Sequence, residues 1–274
     1  MNPGQFSPPL AVSPVGSATG HAGTYRRSLP VALASLYENA LDWAHLPWVH
    51  AASFRRIECL NFTASSWRAR TESPRGAHSV IELTLDRDSR RWITRVLDGA
   101  GAGNEIWTHA FPAAPQQVDI VVDFFLPGVP AAQRATAGEA YARRYARLYD
   151  EDVAMMVERT RQLDRRMGER TEAPRSRVLG HRDALALPLA TTLGGREFTV
   201  VASAGGLYAI PAQCPHQLGP LGAGRVQDGA VVCPWHGDRF DLTTGRNLSG
   251  RPCHLNPLPR VTVAADGTVT ATLD

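Results

Sequence analysis

The 274 residues predict an α+β protein of two domains. Between residues 54 and 127 five strand-like runs follow one another, separated by Gly, Pro, Ser and Asp turns. One long helical pattern then runs from about Ala137 to Met167. From Val178 onward the chain is short β-rich runs and Gly/Pro turns, an all-β pattern.

Residues 1–29 are rich in Pro, Gly, Ser and Ala without periodicity and read as a flexible tail; a strand that docks on a partner is the alternative. A helix is expected from about Pro30 to His45, with Val31, Leu33, Leu36, Tyr37, Ala40 and Leu41 on its apolar side. Glu38, Asp42 and His45 fall at i, i+4 and i+7, on one face. Pro47 disfavours helical geometry at Leu46, so the helix should end there and leave His50 to fold back toward His45. The runs FRRIECLNFTA, HSVIELTLD, RRWITRVLD, NEIWTHAF and VDIVVDFFLP predict a meandering antiparallel sheet. Thr136 and Glu139 have capping-box spacing at the start of the long helix. The stretch GERTEAPRSR has the charge and proline content of a linker. The expected organisation is a tail (1–29), a first domain (30–168), a linker (169–177) and a second domain (178–274).

Composition narrows the function class. The chain is 43% hydrophobic and 20% charged, which is globular. A net charge of +3 with no basic run beside an aromatic platform argues against nucleic-acid binding. No apolar stretch reaches membrane-span length, and no secretory signal is expected, so the reading is a cytoplasmic protein without membrane attachment.

The most specific pattern is CPHQLGPLGAG followed by VVCPWHGDRFDLTTG. It places Cys214-x-His216, sixteen intervening residues, then Cys233-x-x-His236. In a cytosolic chain such cysteines read as metal ligands before disulfides. Two thiolates and two imidazoles are the ligand set of a Rieske [2Fe–2S] centre, and a structural zinc site accepts the same types. The spacing and the Gly/Pro loops differ from a zinc finger, which carries a helix between its ligand pairs. Cys59 and Cys253 fall outside the pattern and read as small apolar residues.

With Pro215, Pro234, Gly237 and the later RPCHLNPLPRVTV, this region resembles Rieske domains over about its last hundred residues. The resemblance implies that Cys214, His216, Cys233 and His236 hold the cluster at the tip of a small β-sandwich. Gly219 and Trp235 stand where respiratory members pair two cysteines, so that bridge cannot form here. Asp238 and Phe240 replace a serine and a tyrosine that donate to sulfur there, which implies a low potential suited to electrons from NAD(P)H through a reductase or ferredoxin.

The segment ENALDWAHLPWVH, residues 38–50, resembles the catalytic-iron motif of Rieske non-haem iron oxygenases. Glu38 and Asn39 precede Asp42-x-x-His45-x-x-x-x-His50. The resemblance makes His45 and His50 ligands of a mononuclear Fe(II), and Asp42 the bridge to a cluster histidine. A facial triad needs one carboxylate more. The family takes it from a Glu-Asp pair on a late helix, and YDEDVAMMVE offers Glu151-Asp152. Periodicity supports Asp152 independently, since it shares a face with Tyr141, Tyr145, Leu148, Tyr149, Met155 and Met156. A carboxylate inside an apolar stripe needs a cation, either a metal or an arginine. Glu151 is expected in a solvated pair with Arg144 and Arg147, and Asp150 on a less buried side near Arg143.

The resemblance implies a helix-grip, START-like first domain that oxidises a small apolar or aromatic substrate with O2, in assemblies that are often homotrimers. Trp43, Trp48, Trp92, Trp107, Phe124 and Phe125 are candidate pocket residues, although any one of them fits core packing as well. The domain order is reversed relative to the family, which places the Rieske domain first. The competing reading is a START-like ligand-binding domain fused to a Rieske electron carrier, and convergence of His45, His50 and Asp152 separates the two.

Overall fold

A computed structural model of the chain describes residues 19–167 and 173–274. It divides into two compact units, the first reaching to Val157 and the second running from Glu158 to Asp274.

The first unit is a seven-stranded antiparallel sheet with helices on one face. Its strands are β1 (His21–Leu29), β2 (Arg56–Phe62), β3 (Ser66–Glu72), β4 (His78–Asp86), β5 (Arg91–Gly99), β6 (Glu105–Ala114) and β7 (Gln117–Phe125). The order is β1-β7-β6-β5-β4-β3-β2, so β2 to β7 form a meander and β1 closes on its last strand. Alternation sends Trp67, Ala69, Ile81, Leu83, Trp92, Ile106, Ile120 and Phe124 to one face, where they form the core with Leu36, Tyr37, Tyr149 and Met156. Those last four come from the helices α1 (Leu33–Leu41) and α3 (Arg134–Met167). The helix-grip arrangement expected of this domain is therefore the one observed, a long helix laid on an antiparallel sheet.

Two strands lie where none was expected. Residues 21–29, read as part of a flexible tail, form β1 and pair with β7 from His21↔Phe125 to Leu29↔Val118. Gly138 explains how closely this strand lies against α3: a Cβ there would run into the carbonyl of Ala22. Residues 1–18 of the expected tail lie outside the described residues. The strand β3, SWRARTE, escapes a search for apolar runs because Ser66, Arg68, Arg70 and Glu72 fill every second position; its buried Trp67, Ala69 and Thr71 carry the alternation.

The first helix also differs from expectation. α1 ends at Leu41, and Asp42 leaves helical geometry with φ −88° and ψ 78°. A 3₁₀ turn (Trp43–His45) and the short helix α2 (Leu46–Val49) follow. Pro47 therefore opens a helix instead of ending one. In a first turn its missing N–H costs nothing, and Leu46 takes αR geometry at φ −50°, ψ −48°.

The second unit is all-β apart from the end of α3 and short 3₁₀ turns. One three-stranded sheet contains β8 (Ser176–His181), β15 (Arg260–Val263) and β16 (Thr268–Thr272); β8 begins inside the segment read as a linker. A second contains β9 (Leu189–Leu193), β10 (Arg196–Ser203) and β11 (Gly206–Pro211). The third contains β12 (Arg225–Gln227), β13 (Ala230–Val232) and β14 (Arg239–Asp241). Linker residues 169–172 lie outside the described residues.

Candidate functional site

In the first unit, His45 and His50 flank α2, and Asp152 reaches them from α3. The Nε2 atoms of the two histidines are 3.3 Å apart. Asp152 Oδ1 lies 3.0 Å from His50 Nε2 and 3.4 Å from His45 Nε2. All three residues are buried. Ligands about 2.1 Å from one metal ion and about 90° apart stand about 3.0 Å from each other, so this donor set has the spacing of one face of a coordination octahedron. Among the described residues Asp152 meets His45, His50 and Asn39 and no arginine, so the alternative of a buried arginine pair is not what the geometry shows.

Neighbouring elements hold the trio in place. Asn39 on α1 donates to Asp152 Oδ1 at 3.1 Å. The Trp67 indole on β3 donates to the carbonyl of Ala40 at 2.9 Å, fixing the end of α1 against the sheet. The amides of Ser53 and Phe54 both donate to the His50 carbonyl, at 2.8 and 2.9 Å. Asp42 stands 3.9 Å from His45 Nδ1, on the side of the ring away from the meeting point.

Glu151 departs from its expected role. Its Oε2 lies 2.6 Å from His50 Nδ1. Arg147 donates to Ser53 Oγ instead, and Arg144 stands over the ring of Phe54. Asp150 pairs with Arg27 of β1 at 2.6 Å. A carboxylate on Nδ1–H fixes the tautomer that points the Nε2 lone pair at the trio, an arrangement typical of metal-bound imidazoles.

The electrostatics follow from burial and these contacts. Burial works to raise the Asp152 carboxyl, but hydrogen bonds from His45 and His50 outweigh it and hold the group well below the usual carboxylate range. Burial works to lower the His50 imidazole, but Asp152 and Glu151 outweigh it and the net shift is upward. The two carboxylates thus favour positive charge at the trio.

A cavity of about 120 Å³ opens onto the trio. Leu36, Leu46, Phe54, Trp67, Ile81, Leu83, Trp92, Tyr145, Leu148 and Tyr149 supply apolar and aromatic wall, with Asn39, Asp42 and Thr94 as polar points. Of the six aromatic residues offered as pocket candidates, only Trp92 lines it. Trp107 packs against Phe125, Phe124 against Tyr141 and Tyr145, Trp43 against the core, and Trp48 is partly exposed. Tyr145 and Tyr149, which helical periodicity puts on the face of Asp152, line the cavity as well, whereas Phe54 and Trp67 were missed because their inward direction depends on the turn after His50 and on the register of β3.

In the second unit, Cys214 and His216 lie in the loop after β11, and Cys233 and His236 in the loop between β13 and β14. The loops share one backbone design. Cys214 N donates to Gly219 O at 2.7 Å and Leu218 N to Cys214 O at 2.9 Å. Cys233 N donates to Asp238 O at 2.8 Å and Gly237 N to Cys233 O at 2.9 Å. Leu218 and Gly237, four residues after their cysteines, have φ of 67° and 66°. A leucine in this left-handed region is strained by roughly 1–3 kcal/mol, and such strain collects at functional sites.

Both cysteines are free and fully buried, and the two imidazoles meet with ring centroids 4.6 Å apart. The Cys214 thiol donates to Cys233, which pushes Cys233 down to about 5 and Cys214 up. The His216 Nδ1 is buried without a hydrogen-bond partner. A Cβ on Gly219 would stand 2.9 Å from Trp235 and 3.0 Å from Cys233 Sγ, so the space beside the sulfurs depends on the missing side chain. Two thiols and two imidazoles aimed at one space fit an iron–sulfur cluster with one thiolate iron and one imidazole iron.

Residues 175–261 match the family model of the Rieske [2Fe–2S] domain. This segment is a Rieske domain. The [2Fe–2S] cluster it implies fits Cys214, His216, Cys233 and His236, and electron transfer to or from partner proteins is the role that goes with it. Apoptosis-inducing factor 3 of Mus musculus is 40% identical over 53 residues, 19% of this chain and 9% of that protein. The ferredoxin component of a naphthalene 1,2-dioxygenase system from Pseudomonas aeruginosa is 33% identical over 60 residues, 22% of this chain and 58% of the ferredoxin. The chain thus spans less than two thirds of the length of these curated relatives. Among solved structures, a START superfamily protein from Mycobacterium smegmatis aligns with 53% of this chain and 99% of its own, at 14% identity and a TM-score of 0.41. No helix among the described residues is long and apolar enough to cross a membrane.

Proposed function

We propose that the chain is a Rieske-type oxygenase, in which the Rieske domain delivers electrons to a mononuclear Fe(II) held by His45, His50 and Asp152. The observation that carries this reading is the convergence of those three buried donor atoms, with mutual distances of 3.0 to 3.4 Å, on an apolar cavity. An electron carrier has no use for a second buried donor set of that kind. A ferrous ion bound there would activate dioxygen beside the substrate, with electrons relayed from a reductase or ferredoxin through the cluster.

The chain's own residues prepare this chemistry. With iron bound, His45 and His50 would supply two imidazole nitrogens and Asp152 a carboxylate oxygen. Glu151 holds the Nδ1 proton of His50 and so orients its ring. Asp42 stands 3.9 Å from the far nitrogen of His45, and we assign it as the bridge toward a cluster histidine. The aromatic and aliphatic walls exclude water and select a small apolar or aromatic compound. An apolar cavity of about 150 Å³ holds a benzene molecule, and the cavity here, about 120 Å³, is of the same order.

The ferredoxin relative favours the second reading, a carrier fused to a ligand-binding domain. Turnover with ¹⁸O₂, a reductase, NADH and a panel of monocyclic aromatics separates the two. The oxygenase incorporates label into product, and His45→Ala abolishes incorporation while the cluster is still reduced. Cluster reduction at wild-type rate with no labelled product from any substrate supports the carrier.

A further inference from the structure

We propose that an ion pair, buried Asp238 with half-buried Arg251, sets the reduction potential of the cluster in the Rieske domain, Asp238 holding it down and Arg251 offsetting part of that effect. Both residues lie within the Rieske domain, so the effect is the same in an oxygenase and in a carrier.

Asp238 lies two residues beyond His236, and its backbone carbonyl accepts from Cys233, so its side chain moves only with the ligand loop. The side chain is 2% exposed. Oδ1 accepts from Arg251 Nε at 3.0 Å and from Asn247 Nδ2 at 3.5 Å. Oδ2 has no hydrogen-bond partner and faces His216 Nδ1 at 3.4 Å. The less compensated oxygen therefore points at the imidazole of a cluster ligand, and the arginine sits on the opposite side.

The placement of Arg251 is built. Asn247 Oδ1 accepts from Ser249 N at 2.7 Å and from Arg251 N at 3.3 Å, and its amide donates to Cys253 Sγ at 3.6 Å as well as to Asp238. One asparagine thus shapes the loop that brings the guanidinium to the carboxylate. Arg251 is partly exposed, so solvent weakens its field more than that of Asp238.

Reduction adds one electron to the cluster, breaks no bond, and makes its charge more negative by one. A fixed carboxylate beside an imidazole ligand opposes that change through a low-dielectric medium, and a cation behind it relieves part of the opposition.

Redox titration of the full-length, cluster-loaded protein with dithionite and mediators, followed by EPR, tests the proposal. At the wild-type midpoint, Asp238→Asn should show at least a tenfold higher ratio of reduced to oxidised cluster, equivalent to 59 mV for one electron. Arg251→Gln should move the ratio the opposite way, and Arg251→Lys should stay near wild type. Both neutral variants within threefold of wild type, or both moving in the same direction, would overturn it. If Asp238→Asn does not load the cluster, the arginine pair decides: no fall in the ratio for Arg251→Gln relative to Arg251→Lys overturns the proposal.

Discussion

His50 and Glu151 meet at 2.6 Å across the groove between α2 and α3, while the other nitrogen of the same ring lies 3.0 Å from Asp152. Adjacent residues on one helix thus grip opposite sides of one imidazole. Removing such a carboxylate behind a metal ligand weakens metal affinity by about 10- to 100-fold. Glu151→Ala should weaken cobalt or ferrous binding at the mononuclear site by that factor, with the Rieske visible spectrum unchanged. Metal competition against a chromophoric chelator measures it.

The pH dependence of the metal-free site follows from the same contacts. The folded pKa of His50 is raised, burial opposing and Asp152 and Glu151 prevailing. Its contribution to stability is therefore fully present below the unfolded value of about 6.5 and is lost as pH rises through the folded value. Asp152 has a depressed folded value, so its contribution is present above about 3.9 and is lost as pH falls through that depressed value. Denaturant midpoints of the protein without mononuclear metal should be highest between those limits. Metal affinity should run the other way above pH 6, rising with pH because His50 must release a proton to bind.

Gly219→Ala tests the cluster loop. The added methyl meets Trp235 and Cys233 Sγ at 2.9 and 3.0 Å, in a buried site with no flexible chain end to yield. Acid-labile sulfide per chain should fall well below that of the parent protein, while metal binding by the trio in the first unit is retained.

Gly138→Ala tests the packing of β1 on α3. The new Cβ collides with the Ala22 carbonyl, a backbone atom in a paired strand. Overpacking of this kind costs about 1–3 kcal/mol, although alanine is the better helix former by roughly 1 kcal/mol. The first unit should unfold at lower urea, and amide exchange along β1 should quicken most.

Much of this was legible in the chain because each signal was local. Cys214, His216, Cys233 and His236 share short loops with prolines and glycines, and Asp152 interrupts an apolar helical stripe that has no other reason to hold a charge. Glu151 was not legible: Arg144 and Arg147 stand at helical spacing from it, whereas its partner is 101 residues away. The same holds for Asp150 and Arg27. Strand β1 was hidden by a low-complexity approach and by two arginines in its middle, and its pairing depends on β7 nearly a hundred residues later. The break at Asp42 was hidden because Pro47 offered a stronger stop signal, one that tertiary packing turned into a start.

Iron held by His45, His50 and Asp152 in a chain that also carries a [2Fe–2S] cluster would fix the ratio of iron to sulfide. Iron and acid-labile sulfide analysis with EPR on anaerobically purified protein measures that ratio. The expected result is three irons and two sulfides per chain, falling to two and two in His45→Ala with the Rieske signal intact. Two irons and two sulfides in the parent protein, unchanged by the substitution, would contradict it.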